Sequence, residues 1–304
     1  MAKAVVIRNP VSGRSRLATR WPDVQRRLSE VFSDAEFLNT VGPGDATALA
    51  RQAVDSGCST VIAVGGDGTV TQVANGLVGS QTALGVVPAG TGNDLCRTLG
   101  IGASVEIALQ ALEDGNLCQM DVGRWTTDRG TGYFLNIAGM GFDAAVADRI
   151  NRGFRSLRGT AAYLAAVVAT LASYRARDLR ITIDGGEVQE KAMLVAVANA
   201  RCYGGGMQVA PMASIFDGVL EVVLVRELGR IAFLSAFPRV FKGSHMSHAA
   251  VRHYRGCKIR LDPVGEAPFL VDGELVPCQW AEIDVVPGGL KIIAPKRLCD
   301  TTSP

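Results

Sequence analysis

Short apolar runs alternate with helix-period stretches through the first part of the chain, and each run closes on a polar turn. Ala4–Arg8 predicts a strand ended by Asn9-Pro10-Val11-Ser12-Gly13, with a helix from about Leu17 to Phe32 behind it. Ala35–Asn39 predicts a second strand closing on Thr40, and Gly44-Asp45 caps a helix to about Ser56. Val61–Val64 reads as a buried parallel strand, followed by Gly65-Gly66-Asp67-Gly68-Thr69 and a helix to about Leu77. Leu84–Val87 runs into Pro88-Ala89-Gly90-Thr91-Gly92-Asn93-Asp94; a helix over Ser104–Asp114 leads to a strand at Gln119–Val122. Strands alternating with helices predict a doubly wound, mostly parallel α/β domain. Such sheets bind ligands beyond the carboxyl ends of their strands, and the turns at 9–13, 40, 65–69 and 88–94 share that edge.

The pattern changes after about residue 124. Tyr133–Ala138 predicts a strand, and Gly139-Met140-Gly141-Phe142-Asp143 opens a helix to about Ile150. A second helix is expected near 159–174. Strands then dominate: Arg180–Ile183 and Lys191–Asn199 around an Asp184-Gly185-Gly186-Glu187 hairpin, Gly218–Val225, Cys257–Leu261, Phe269–Asp272 and Trp280–Val286, with one helical stretch near Ile231–Phe241. This half reads as an antiparallel β-sandwich. The expected organisation is α/β plus all-β: residues 1–124, then 125–304, with the tail 290–304 able to rejoin the first sheet.

A content of 48% hydrophobic residues in 304 supplies ample core, and a net charge of +2 argues against wholesale nucleic-acid binding. The seven cysteines are scattered without a CxxC pair, so neither a zinc site nor a disulfide framework is expected, and a reducing cytoplasm fits. The opening apolar run is too short for a secretory leader. Gly159–Tyr174, the longest uncharged stretch, falls short of the ~20 residues of a membrane span and reads as a buried helix. Two basic regions stand out. Arg149, Arg152, Arg155 and Arg158 recur every three residues. Arg239–Arg260 holds six Lys/Arg, all three histidines and no acid. Both can attract anionic head groups; the histidines read as surface residues.

The two glycine-bearing turns carry the chemistry. With no GxxxxGK[ST] motif this is not a Walker loop. The amides of Gly66, Gly68 and Thr69, where glycines can take positive φ and a helix begins, are candidates to cradle phosphate, with the Thr69 and Thr91 hydroxyls adding hydrogen bonds. Asp67 inside an anion site would be repulsive unless a divalent cation sits between. Mg²⁺ is held by one or two carboxylates plus waters and phosphates, so Asp67 is the first candidate ligand. Asp94 is either the second carboxylate or an N-cap of the next helix.

The ordered motifs Asn9-Pro10-Val11-Ser12-Gly13, Gly65–Thr69, Pro88–Asp94, Gly139–Asp143, Tyr203-Gly204-Gly205-Gly206, Ala210-Pro211-Met212-Ala213, Asp217-Gly218 and Val271-Asp272-Gly273-Glu274 span nearly the whole chain. Together they resemble the catalytic domain of the diacylglycerol-kinase family, specifically the bacterial soluble lipid kinases. The resemblance implies a nucleotide domain and a β-sandwich domain with the active site between them. It implies an ATP- and Mg²⁺-dependent kinase acting on diacylglycerol or, alternatively, on phosphatidylglycerol, a sphingoid base or ceramide. Asn9, Thr40, Gly65, Gly90 and Asn93 would then join the nucleotide site. Glu274 would be the catalytic base with Asp67 in the metal network, and Asp217 would hold a structural Mg²⁺ with the carbonyls of Ser214 and Val219. The sequence alone does not prefer Glu274 to Glu187 of the similar Asp184–Glu187 turn. An NAD kinase shares the GGDGT-type turn but not the second turn or the late DGE. A non-catalytic lipid- or nucleotide-binding regulator would be favoured by loss of Asp67 or Glu274, and both are present. The implied partners are a membrane lipid and an anionic membrane surface met peripherally on its cytoplasmic face, with oligomeric state, a homodimer included, left open.

Overall fold

The computed structural model describes residues 3–13, 16–153 and 160–299. Arg155 and Arg158 of the basic stripe lie outside them. The first half runs β1 (Ala4–Arg8), α1 (Arg16–Val31), β2 (Glu36–Asn39), α2 (Asp45–Asp55), β3 (Thr60–Gly65), α3 (Asp67–Leu77), β4 (Ala83–Pro88), α4 (Asp94–Thr98) and α5 (Val105–Asp114). The strands lie parallel in the order β2-β1-β3-β4. Alternate side chains of each strand point to opposite faces, so one sheet feeds two cores. Val5, Ile7, Val61 and Ala63 meet α2 and α3 through Ala50, Val73 and Leu77. Val6, Ile62 and Val64 meet α1 and α5 through Leu28, Leu109 and Leu112. Each fully buried Leu or Ile contributes roughly 1.5–3 kcal/mol. β3 is buried along its whole length, and so the turn at its end is held from both sides.

The second half runs β5 (Leu117–Thr127), β6 (Gly130–Phe134), β7 (Ile137–Gly141), α6 (Phe142–Gly153), α7 (Thr160–Ser173), β8 (Arg177–Ile183), β9 (Gly186–Ala198), β10 (Leu220–Arg226) and α8 (Arg230–Ala236). Two 3₁₀ turns, Phe237–Lys242 and Ser244–Ser247, lead to β11 (Val251–Gly256), β12 (Lys258–Pro263), β13 (Ala267–Val271), β14 (Glu274–Cys278), β15 (Ala281–Ile293) and α9 (Lys296–Cys299). One sheet is β6-β5-β15-β12-β8 and the facing one β14-β13-β7-β9-β10-β11. β9 belongs to both: its first half pairs β8, its second half β10 and β7. Phe134, Ile181, Val195, Ile259, Phe269 and Ile283 fill the space between them. Past an irregularity between Val286 and Leu290, β15 continues beside β5 and sets Ile292 opposite Leu84 of β4 in parallel, joining the two halves into one sheet.

Several expectations change. The strand expected at Tyr133–Ala138 is broken at Leu135-Asn136, because the amides there turn to the side chain of Asp272. β11 and β14 are strands without a clear alternating signal. β11 is a polar edge, and Pro277 sits in the edge strand β14, where a missing N–H is tolerated. His245 is buried, its Nε2 3.0 Å from the carbonyl oxygen of Val209, so it is not a surface residue. Cys118 and Cys299 form a disulfide, with Cα atoms 5.5 Å apart. The expectation of free thiols fails for this pair because the fold brings the start of β5 to α9 across 181 residues of sequence. No helix among the described residues is long and apolar enough to cross a membrane.

Candidate active site

At the end of β3 the expected left-handed glycines are absent. Gly66 is extended (φ −90°, ψ −176°), and neither Gly65 nor Gly68 has positive φ. Close packing demands glycine here instead. A Cβ on Gly65 would stand 2.5 Å from Thr69 Cβ, and one on Gly90 would stand 2.5 Å from Gly66 Cα. Around Gly68 the space is open. The amides of Gly68 and Thr69 lie in the first turn of α3, where helical partners are missing and the helix dipole is positive. Asn9 Nδ2 donates to Thr69 Oγ1 at 3.1 Å, and the Thr40 amide donates to the Arg8 carbonyl beside it. All four expected turns therefore share one edge of the sheet.

Asp67 joins the two glycine turns. Its Oδ2 accepts the Asn93 amide at 2.8 Å and its Oδ1 the Asp94 amide at 2.6 Å. The left-handed residue of the second turn is Asn93 (φ 51°), whose Oδ1 accepts the Gly90 amide. Asn93, not Asp94, occupies the N-cap position of α4. The Asp94 carboxylate crosses to the second half of the chain, accepting the amides of Gly205 and Gly206. Burial, then the nearby Asp67, raises the Asp94 carboxyl above its ordinary range.

The opposite wall comes from the β13–β14 hairpin. Asp272 (φ 44°) and Gly273 (φ 91°) form its two-residue turn. Asp272 Oδ1 accepts the amides of Asn136 and Ile137, and Oδ2 accepts that of Leu135 and the hydroxyl of Thr71 on α3. Burial raises this carboxyl, while the amides pull it back. Glu274 follows as the exposed first residue of β14. Asp184-Gly185 makes the same kind of turn at the end of β8, gripping the amides of Cys257 and Lys258. The two look-alike motifs are thus both hairpins, and only the second abuts the glycine turns.

Between these walls lies a cleft of about 380 Å³, lined by Asp67, Thr91, Asp94, Asp143, Tyr203 and Gly273 among others. Asp143 Oδ2 accepts the Tyr203 hydroxyl at 3.3 Å, and burial pushes its carboxyl up to about 6. Asn136 also lines the cleft, and its buried Oδ1 has no hydrogen-bond partner among the described residues. Asp272, Asp143, Asn136 and Tyr203 carried no role in the sequence reading; the Asp-Gly pair before Glu274 was the available signal for the first.

For Mg²⁺ the donor chemistry of the cleft fits. Asp67 and Asp94 present carboxylates to it, with lone pairs beyond those given to amides, and hard cations in such sites take few protein ligands. No group of three His, Cys, Asp or Glu side chains forms a ready cage among the described residues. Asp217 stands apart from the cleft. Its Oδ2 accepts Arg255 Nη2 at 2.7 Å and its Oδ1 the Val219 amide, while the Ser214 hydroxyl accepts the Phe216 amide. This carboxylate already has a cationic partner.

Residues 3–125 match the diacylglycerol kinase catalytic domain. Residues 136–294 match the YegS C-terminal NAD kinase beta sandwich-like domain. The chain belongs to the bacterial diacylglycerol-kinase family. The diacylglycerol kinase of Mycobacterium tuberculosis is 31% identical over 300 residues, covering 98% of this chain and 96% of its own. That of Staphylococcus aureus (strain MRSA252) is 30% identical over 279 residues, covering 90% and 86%. The crystal structure of a diacylglycerol kinase from Bacillus anthracis superposes with a TM-score of 0.75 at 25% identity, covering 97% of this chain and 98% of the other. This diacylglycerol-kinase-family chain is therefore an ATP-dependent lipid kinase in its general class, with the α/β domain followed by the sandwich that the sequence predicts. NAD kinase enters through the description of the sandwich; these relatives, matched over most of the chain, are diacylglycerol kinases.

Proposed function

We propose that the chain transfers the γ-phosphoryl group of ATP to the free hydroxyl of diacylglycerol, giving phosphatidic acid and ADP. The observation that carries this reading is the cleft itself: two glycine turns clamped by Asp67 face the β13–β14 hairpin, whose Asp272 and Gly273 line it and whose next residue is Glu274. Residues 1–124 hold the nucleotide in this reading and 125–304 the lipid. The amides of Gly66, Gly68 and Thr69 bind phosphate, and Gly65 and Gly90 let the turns pack closely enough to do so. Asn9, Thr40, Thr91 and Asn93 complete the nucleotide wall. Mg²⁺, when bound through Asp67 and Asp94, neutralises phosphate charge. The lipid oxygen attacks the γ-phosphorus, the bond to the β-bridging oxygen breaks, and Glu274 takes the hydroxyl proton as the new P–O bond forms. A second Mg²⁺ at Asp217, with the carbonyls of Ser214 and Val219, would share that carboxylate with Arg255.

The lipid is met at an anionic membrane surface on the cytoplasmic side, by transient docking. The test is a panel of acceptors in mixed micelles with γ-labelled ATP and Mg²⁺: diacylglycerol, phosphatidylglycerol, sphingosine, ceramide and, separately, NAD. Label in phosphatidic acid is expected. Label in another lipid would move the acceptor, and labelled NAD phosphate would overturn the lipid-kinase reading.

A further inference from the structure

The segment from Arg230 to Lys242 has two faces of opposite kind. Its inner face turns Phe233, Phe237 and Val240 into an apolar cavity above β10 and α6, a cavity that shares Asp143 and Tyr203 with the cleft. Its outer face presents large apolar side chains to water: Ile231 is 86% exposed, Leu234 42% and Phe241 46%. Ile231 and Leu234 are three residues apart in α8 and so lie on one side of it. Among the described residues nothing covers these three side chains, and the segment's buried face is already in use.

Charge says what covers it. Arg230, Arg239 and Lys242 are exposed around the apolar residues, and no Asp or Glu occurs between Leu228 and Leu261. Several basic residues on the same sheet are balanced, Lys191 by Glu227, Arg226 by Glu190 and Arg255 by Asp217 and Glu221, while Arg252 on β11 meets only the carbonyls of Ala249 and Val251. None of the three in this segment has a carboxylate partner among the described residues. An apolar tip ringed by unbalanced cations is complementary to an anionic bilayer, whose interface takes the apolar side chains while its head groups meet the cations.

We propose that Arg230–Lys242 is the membrane-docking element, inserting Ile231, Leu234 and Phe241 into an anionic lipid surface with Arg230, Arg239 and Lys242 on the head groups. The inference deepens the lipid-kinase reading, and it sets the apolar cavity and the cleft directly beneath the docked face. It differs from docking on the Arg149–Arg152 side, where Arg152 is paired with Asp148.

Flotation of the full chain with phosphatidylcholine vesicles, with and without phosphatidylglycerol, tests it without any turnover. Wild type should float with the anionic vesicles and fall off as salt rises. The triple change Arg230→Gln, Arg239→Gln, Lys242→Gln should lower partition roughly a hundredfold. Ile231→Ser with Leu234→Ser and Phe241→Ser should lower it by at least tenfold even at low salt. Both sets should keep the wild-type melting temperature and turnover of a water-soluble short-chain diacylglycerol. Unchanged partition in either set would overturn the proposal, as would loss of self-association with intact vesicle binding, which would make the face a contact between copies. Docking without any lipid phosphorylation by wild type would instead sink the kinase reading and leave the docking element standing.

Discussion

Asp272→Asn isolates the grip of the β13–β14 hairpin. Asn tolerates the left-handed backbone of this turn, so the change leaves the main chain unstrained and acts on hydrogen bonds alone. In the native protein one carboxylate receives three buried amides and the Thr71 hydroxyl, at 2.8 to 3.1 Å. An Asn side chain keeps one oxygen, which can serve Asn136 and Ile137. Its NH₂ then faces the Leu135 amide, donor against donor, while the Thr71 hydroxyl can turn round to accept. One buried donor is left unmet, at about 1–3 kcal/mol, and loss of the charge adds no further cost because burial already disfavours the ionised form. For a unit the size of the second half this lowers the melting temperature by roughly 5 °C. Asp184→Asn is the control, because its turn has the same shape but faces solvent; its cost should be about 1 kcal/mol or less. Differential scanning calorimetry of both variants reads the comparison. A fall below about 2 °C for Asp272→Asn, or an equal fall for the control, would refute the assignment of Asp272 as the anchor.

Glu274→Gln should lose at least a hundredfold in kcat while ATP affinity, read by calorimetric titration, stays within about twofold; full turnover would remove Glu274 as the base. Asp143→Asn should change stability with pH. Burial raises this carboxyl from 3.8 to about 6, so its contribution favours the fold below pH 4 and is lost as pH climbs through 6. Wild type and variant should therefore unfold alike near pH 4, and the variant should be the more stable at pH 8, by up to about 3 kcal/mol. Urea titrations at the two values check the sign, and a variant that is weaker at pH 8 would contradict it.

Much of the architecture was legible because it rests on local signals. β3 is a continuous apolar run that needs both faces covered, and the glycine turns announce the ligand edge of a parallel sheet. The hairpin at Asp184 follows from its Asp-Gly pair, whereas the matching turn at Asp272-Gly273 was not read because β14 behind it carries no alternating pattern. What stayed hidden depends on distance in sequence. Nothing near Asp67 says that its carboxylate will hold the turn at residues 93 and 94, or near Asp94 that it will hold Gly205. The reason for the glycines was also invisible: positive φ is a local property, whereas the approach of Gly90 to Gly66 belongs to the packed pair. Cys118 and Cys299 escaped for the same cause, as did the break at Leu135-Asn136, which is made by a side chain more than a hundred residues away. Asp217 was read from resemblance, and the fold adds Arg255 as a partner that no spacing could reveal.

The account stands or falls on phosphoryl transfer across the cleft. The direct measurement is the initial rate at which purified protein moves label from γ-labelled ATP to diacylglycerol in mixed micelles. The account predicts labelled phosphatidic acid that requires Mg²⁺ and disappears in Glu274→Gln. A protein that binds ATP yet labels no lipid, with micelles, Mg²⁺ and acceptor all present, would contradict it.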